Sequence, residues 1–279
     1  SSRLLTGSIQ EIDFGKITEL NVLNEILKWP EIEVANLQRL FFHSIYPFHS
    51  KNHSCLLMGT EFCEISTLLE CNKEIYAGDF LIAAECFEAV SQLIKVGYLH
   101  CDLKPDNFLL YFDPIALRVR PRLCDFGWAK SVNDSSRGQR GFPGFAAPEA
   151  VQSGIHTPAS ELCSTAMTCC YFLLGLRFYG SEGNKFKCVS ETINKWKKLT
   201  RSSILDGVID VSLAKGVIKG KFSKSSAIFS ELVFLMHRCT AFKSRNRPNF
   251  SEVIDKIKGF SGVLGANRFE NEFLSEVFR

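Results

Sequence analysis

No uncharged apolar run in this chain of 279 residues is long enough to cross a bilayer. The longest, Leu162 to Leu176, falls short of the roughly 20 residues a spanning helix needs, and it carries Ser164, Thr165 and Thr168. It reads as a buried core helix, and no membrane insertion is expected. The N-terminus has no positively charged start followed by an apolar run and a small-residue cleavage site, so no secretion signal is read there. The chain begins at Ser1 without methionine, which reads as a fragment or a processed form. A large excess of charge of one sign is also lacking. A net +3 and a pI near 8.2 fall short of the concentrated basic face of a nucleic-acid binder, so no such partner is expected. The eleven cysteines are odd in number, thinly spread and without a C-x-x-C pair, which argues against a disulfide scaffold and for reduced thiols in the cytosol or nucleus. Before residue 60 the glycines are Gly7, Gly15 and Gly59, and they cannot form the G-x-G-x-x-G of a phosphate-covering loop.

What is present is ample for folding. An apolar content of 46% supports a sizeable core in one large domain or two smaller ones. Ile17, Leu20, Leu23 and Leu27 recur at three- and four-residue steps, predicting an amphipathic helix that Pro30 stops. Two strand-like runs follow, LQRLFF and SCLLMG, separated by the turn-rich PFHSKNHS. A second helix is predicted from about Asp79 to Val96, then strand, loop and strand from Leu109. Ser131 to Gly144 reads as an irregular segment, and helical stripes recur around 161 to 176, 226 to 239 and 250 to 260. The pattern is a small mixed lobe, a connector near Thr60 to Glu64, and a larger helical lobe, with a cleft between lobes as the expected ligand site. Arg118, Arg120 and Arg122 alternate along one strand and read as a solvated face. Lys195, Lys197, Lys198 and the lysines between 215 and 224 read the same way, and Asn267 to Arg279 is helix-compatible without a motif.

The densest chemistry lies in three strings: HCDLKPDN at 100 to 107, CDFG at 124 to 127 and AAPE at 146 to 149. In that order and spacing they resemble the eukaryotic protein-kinase family, which moves a phosphoryl group from ATP mainly by positioning and charge neutralisation. The resemblance implies that Asp102 accepts the substrate hydroxyl proton and Lys104 contacts the γ-phosphate. It implies that Asn107 and Asp125 hold magnesium through oxygen, and that Thr60, Glu61 and Cys63 line the nucleotide. D-L-K-P is the serine/threonine form, and AAPE counts against small-molecule phosphotransferases, which lack such an element. By the same resemblance His100 is a core histidine packed on Phe126, with Leu23 continuing the column four residues after Glu19. Glu149 and Arg247, the latter in SRNRP, form an ion pair, and Glu161 stands where the family has an aspartate that anchors the catalytic loop.

Several positions depart from the family. Cys101 replaces the arginine that meets a phosphate on the activation segment, so dependence on such a phosphate is expected to be small, with Ser135 and Ser136 reading as loop serines. Phe142 stands where threonine commonly bonds the base, and its side chain offers no such bond. Lys16 is only three residues before Glu19, too close for the strand lysine that pairs with the helix glutamate. Arg3 is the other basic residue in that region, with a fork that poorly replaces an ammonium.

The expectation is an α+β, two-lobe protein-kinase-like fold, with 1–62 an incomplete small lobe and 63–279 the large lobe. Its function would be transfer of the ATP γ-phosphate to a protein Ser or Thr with Mg2+, by a monomer in the cytoplasm or nucleus. With the glycine loop and strand lysine missing, the chain as given would be weak or inactive. The alternative is a pseudokinase acting as a scaffold or allosteric module.

Overall fold

The computed structural model describes residues 7–11, 14–48, 53–70, 77–174, 203–205 and 226–264, with Glu191 and Asn194. Arg3, the lysines at 195, 197, 198 and 215 to 224, and the stretch 267–279 lie outside these residues.

The small lobe is an antiparallel sheet of β1 (Gly7–Glu11), β2 (Leu40–Phe48) and β3 (His53–Thr60), ordered β1-β3-β2, beside helix α1 (Phe14–Ile26). Ile9 faces Leu57 across one ladder, and Tyr46 faces Cys55 across the other. Much of the expected turn PFHSKNHS is strand: Pro47 pairs with Ser54 and Phe48 with His53. Proline is tolerated there because β2 is an edge strand of this sheet, where its missing N–H breaks no ladder. The buried stripe of α1 is also rotated from the expected one. Glu19, Val22, Leu23 and Ile26 face inward, whereas Ile17 and Leu27 are exposed. Both sets have helical spacing, so periodicity alone left the face undecided, and packing against the Phe126 turn selects it.

Short strands lead into the larger lobe: β4 (Ser66–Thr67), β5 (Tyr98–Leu99), β6 (Phe108–Asp113), β7 (Arg118–Leu123) and β8 (Lys130–Ser131), pairing as β4-β6-β7 and β5-β8. Around them lie α2 (Ala77–Val96), α3 (Pro148–Ser153), α4 (Pro158–Leu174), α5 (Ser226–Cys239) and α6 (Phe250–Leu264). Helix α2 is the axis of this lobe, packed on α4, α6 and β7, with Phe80, Phe87, Val90 and Leu93 fully buried. Its rings meet α6 edge to face, Phe80 to Phe260 at 6.0 Å and Phe87 to Phe250 at 6.2 Å. Helix α4 is buried as its composition predicts. Thr165 and Thr168 are accommodated because their hydroxyls donate to Glu161 O at 2.8 Å and Ser164 O at 3.0 Å one turn back.

The arginines of β7 are not a solvated face. Arg118 and Arg120 both ion-pair with Glu85, a buried carboxylate in the middle of α2, at 2.6 and 3.0 Å. Arg122 lies 4.5 Å over the Tyr111 ring and donates to Ala35 O and Leu37 O. Its Nε also approaches Glu61 Oε2 to 2.8 Å as an ionic contact rather than an aligned hydrogen bond. Strand periodicity reports which residues share a side, and the helix behind that side decides whether it is wet.

Arg247, its side chain fully buried, donates to both oxygens of Glu149 at 2.6 and 2.8 Å and to the carbonyls of Ala159 and Ala241. The pair fastens α3 to the start of α4 and to the segment before α6. Glu149→Ala leaves the guanidinium buried with carbonyl partners only, and is expected to lower unfolding free energy by about 3 to 5 kcal/mol in a urea titration.

Candidate active site

Strand β5 delivers the chain to His100, and the loop that follows turns on Cys101, whose φ of 65° lies in the left-handed region. The two N–H groups at this turn are held by one acceptor. Glu161, buried at the start of α4, receives the His100 N–H at 2.7 Å and the Cys101 N–H at 3.3 Å. Burial pushes the Glu161 carboxyl up to about 7, against these donors. The longer side chain therefore reaches the anchoring position expected of aspartate.

The His100 ring then joins the strings. Its Nε2 faces Cys124 O at 2.9 Å, its Nδ1 accepts the Asp102 N–H at 3.2 Å, and the ring packs 5.6 Å from Phe126. A carbonyl only accepts and an N–H only donates, which fixes the neutral tautomer with the proton on Nε2. Burial lowers the His100 pKa in the same sense. Leu23 is buried in the same core as Phe126, and α1 packs on the 3₁₀ turn Phe126–Trp128.

Asp102 is the node of the loop. Its carboxylate lies 2.7 Å from Lys104 Nζ, and its carbonyl accepts from Asn107 Nδ2 at 2.8 Å. A 3₁₀ turn, Pro105–Asn107, positions that amide, with proline at the first position where its missing N–H is no loss. Because Asn107 spends its amide nitrogen on the loop, its oxygen is left for a ligand. Cys124 N–H donates to Asn107 O at 3.0 Å, setting the residue before Asp125 directly beside Asn107. Asp125 takes φ 61° and ψ 70°, and its carboxylate makes no hydrogen bond or ion pair among the described residues. Two such oxygens suit a hard dication of the magnesium type.

On the connector, Thr60 ends β3, with its hydroxyl 3.1 Å from Gln38 Nε2, and the Glu61 carbonyl accepts from the same amide at 3.3 Å. The Glu61 side chain is engaged by Arg122. Burial pushes the Cys63 thiol up to about 12. Asp102, Lys104 and Asn107 are thus gathered tightly, Asp125 stands alongside, and Thr60, Glu61 and Cys63 lie on the connecting strand end and loop. Lys16 lies in the first turn of α1, not on a strand, and the strand just before α1, Gly7–Glu11, contains no lysine.

Residue 142 departs from expectation in a useful way. Its ring carries no hydrogen-bonding group, but its backbone N–H donates to Asp102 Oδ1. Gly141 makes this possible. Its φ is +63°, and a Cβ there would overlap the Cys101 carbonyl oxygen and the Asp102 side chain. The rest of the segment is held by its own contacts. Lys130 Nζ, buried, donates to Ser136 O at 2.8 Å and lies 3.9 Å from Asp134, which Arg140 also approaches at 4.0 Å. Gly138 N–H donates to Gly154 O at 3.2 Å, and Gln139 Nε2 donates to Val151 O at 3.1 Å. The only advance signal of these contacts was the glycine pair in GFPG.

Gly141→Ala is expected to destabilise the fold by about 1 to 3 kcal/mol, since alanine meets both an unfavourable φ and a filled space. Limited proteolysis should show faster cleavage between residues 131 and 144 in the variant, with α2 and α4 protected as in the parent.

The protein kinase domain family model matches residues 12–257. Among curated relatives, the serine/threonine-protein kinase RUNKEL of Arabidopsis thaliana is 33% identical over 145 residues, covering 47% of this chain and 10% of that protein. The calcium/calmodulin-dependent protein kinase type IV of Homo sapiens is 33% identical over 105 residues, covering 37% of this chain and 22% of its own. The serine/threonine-protein kinase dkf-2 of Caenorhabditis briggsae is 26% identical over 147 residues, covering 48% and 12%. The chain therefore spans less than a quarter of the length of these relatives. With the family match spanning most of the sequence, the chain belongs to the protein kinase family.

Proposed function

We propose that this domain transfers the γ-phosphoryl group of ATP to a serine or threonine hydroxyl of a protein. The observation that carries the reading is Asp102, a buried carboxylate held by Lys104, the Phe142 N–H and the Asn107 amide, with Asp125 beside it. Asp102 takes the proton of the acceptor hydroxyl as its oxygen bonds to phosphorus, and ADP departs with the electrons of the broken P–O bond. Lys104, already beside that carboxylate, neutralises charge on the transferred group. Magnesium bound with ATP would draw charge from the phosphate oxygens, and the Asn107 oxygen and the Asp125 carboxylate are its ligands in this chain. Thr60, Glu61 and Cys63 line the adenine end. The division at residues 62 and 63, the monomeric state and a cytoplasmic or nuclear location belong to the same proposal. None of the helices among the described residues is long and apolar enough to cross a membrane.

A pseudokinase is the second reading, and one observation favours it: the strand preceding α1 has no lysine. Phosphorylation of a generic basic protein by this chain, lost in Asp102→Asn, supports the enzyme. Unmeasurable turnover even after an authentic upstream segment is joined supports the scaffold.

Asp125→Asn is expected to remove most magnesium-dependent nucleotide affinity while leaving stability nearly unchanged, because no group among the described residues bonds that carboxylate. Thermal shifts with and without Mg-ATP check it, and an equal ligand-induced shift in variant and parent refutes the role. A second expectation follows from the self-held segment: phosphatase treatment, or Ser135→Ala with Ser136→Ala, should change the activity of a turnover-competent form less than about twofold. Loss of activity traced to either serine would show that a phosphate supplies what Lys130, Asp134 and Arg140 do not.

A further inference from the structure

Two departures from the kinase pattern, cysteine at 101 and glutamate at 161, direct their polar atoms into one place. Cys101 Sγ, a ring nitrogen of His156 and a carboxylate oxygen of Glu161 all lie within 4.8 Å of one another, and all three residues are buried. A cavity of about 10 Å³, room for one water-sized sphere, sits among them and is also lined by Ser160 and Ser164.

We propose that Cys101, His156 and Glu161 bind one zinc ion, which ties the catalytic loop to the segment following α3 and to the start of α4. Sulfur, imidazole and carboxylate together select zinc over magnesium or calcium. Zinc bonds of about 2.0 to 2.3 Å put tetrahedral ligands about 3.3 to 3.8 Å apart, so shifts of about 1 Å complete the site. The His156 ring is set for it. Nε2 lies 3.2 Å from Gly138 O, which only accepts, so the proton is on Nε2 and Nδ1 carries the lone pair, in the arrangement that orients ligating imidazoles. Burial holds His156 toward the neutral form a ligand needs.

Charge balance argues in the same direction. Among the described residues Glu161 has backbone N–H donors and no ion pair. A dication with one thiolate and one carboxylate makes a neutral assembly in place of a lone buried charge. Binding forms a Zn–S bond and releases the thiol proton to solvent, with no redox change. Burial and the Glu161 carboxylate push the Cys101 thiol up, so the dication itself must draw off that proton; Lys130 and Arg140 oppose the rise more weakly, being directed to Asp134, with Lys130 also held by Ser136. The site is separate from the pair Asn107 and Asp125.

The test uses the whole chain, loaded with zinc, dialysed against metal-free buffer and assayed by elemental mass spectrometry, with cobalt as a spectroscopic substitute. The parent is expected to keep about one zinc per chain and to show a thiolate-to-cobalt charge-transfer band. Cys101→Ser, His156→Gln and Glu161→Asp should each weaken zinc binding by about 10- to 100-fold. Glu161→Asp is the folded control, since it shortens the ligand but keeps a carboxylate for the loop N–H groups. A parent without zinc overturns the proposal. So does a parent whose zinc and cobalt band persist in Glu161→Asp, which would assign the metal to other thiols.

Discussion

The catalytic loop hangs on one buried carboxylate. The left-handed turn at Cys101 directs two successive N–H groups into the protein, where water does not reach, and Glu161 receives both. Without an acceptor each would cost about 1 to 3 kcal/mol. Holding the loop there sets the His100 ring, and that ring, through Cys124 O and the Asp102 N–H, fixes HCDLKPDN against CDFG. The spacing of Asp102, Asn107 and Asp125 thus depends on Glu161, a distant residue that belongs to none of the strings.

The lobes are joined through the same region. Gln38 N–H donates to Leu123 O, and Leu123 N–H donates to Asn36 O, so the chain leaving α1 runs beside the strand that ends at Leu123. Gln38 holds Thr60 and Glu61, and Arg122 grips Glu61 from β7. The connector is consequently braced by the strand that leads into Asp125. Helix α1 completes the joint by packing on the Phe126 turn.

What the sequence disclosed follows a physical division. The gathering of Asp102, Lys104 and Asn107 was legible because they lie within six residues, so chain connectivity holds them close whatever the rest does. The pair Glu149 and Arg247, and the packing of His100 on Phe126, were legible only through family resemblance, since 98 and 26 positions separate their partners. Contacts made by backbone or decided by a distant element stayed hidden. Periodicity identified α1 but not its buried side, and alternation in β7 could not show that Glu85 waits behind it. The side chain at 142 said only what it lacks, while the bond to Asp102 comes from the main chain.

That last bond has an evolutionary reach. An amide N–H is common to nineteen of the twenty residue types, so position 142 can drift in size and polarity without unseating Asp102, and only proline would withdraw the donor. A threonine hydroxyl in the same role would be lost by most single substitutions. The mutational burden has instead moved one residue back, to Gly141, whose lack of a side chain brings the donor within reach. In this lineage the smallest residue of the segment, not the chemically active one, should be the position that does not vary.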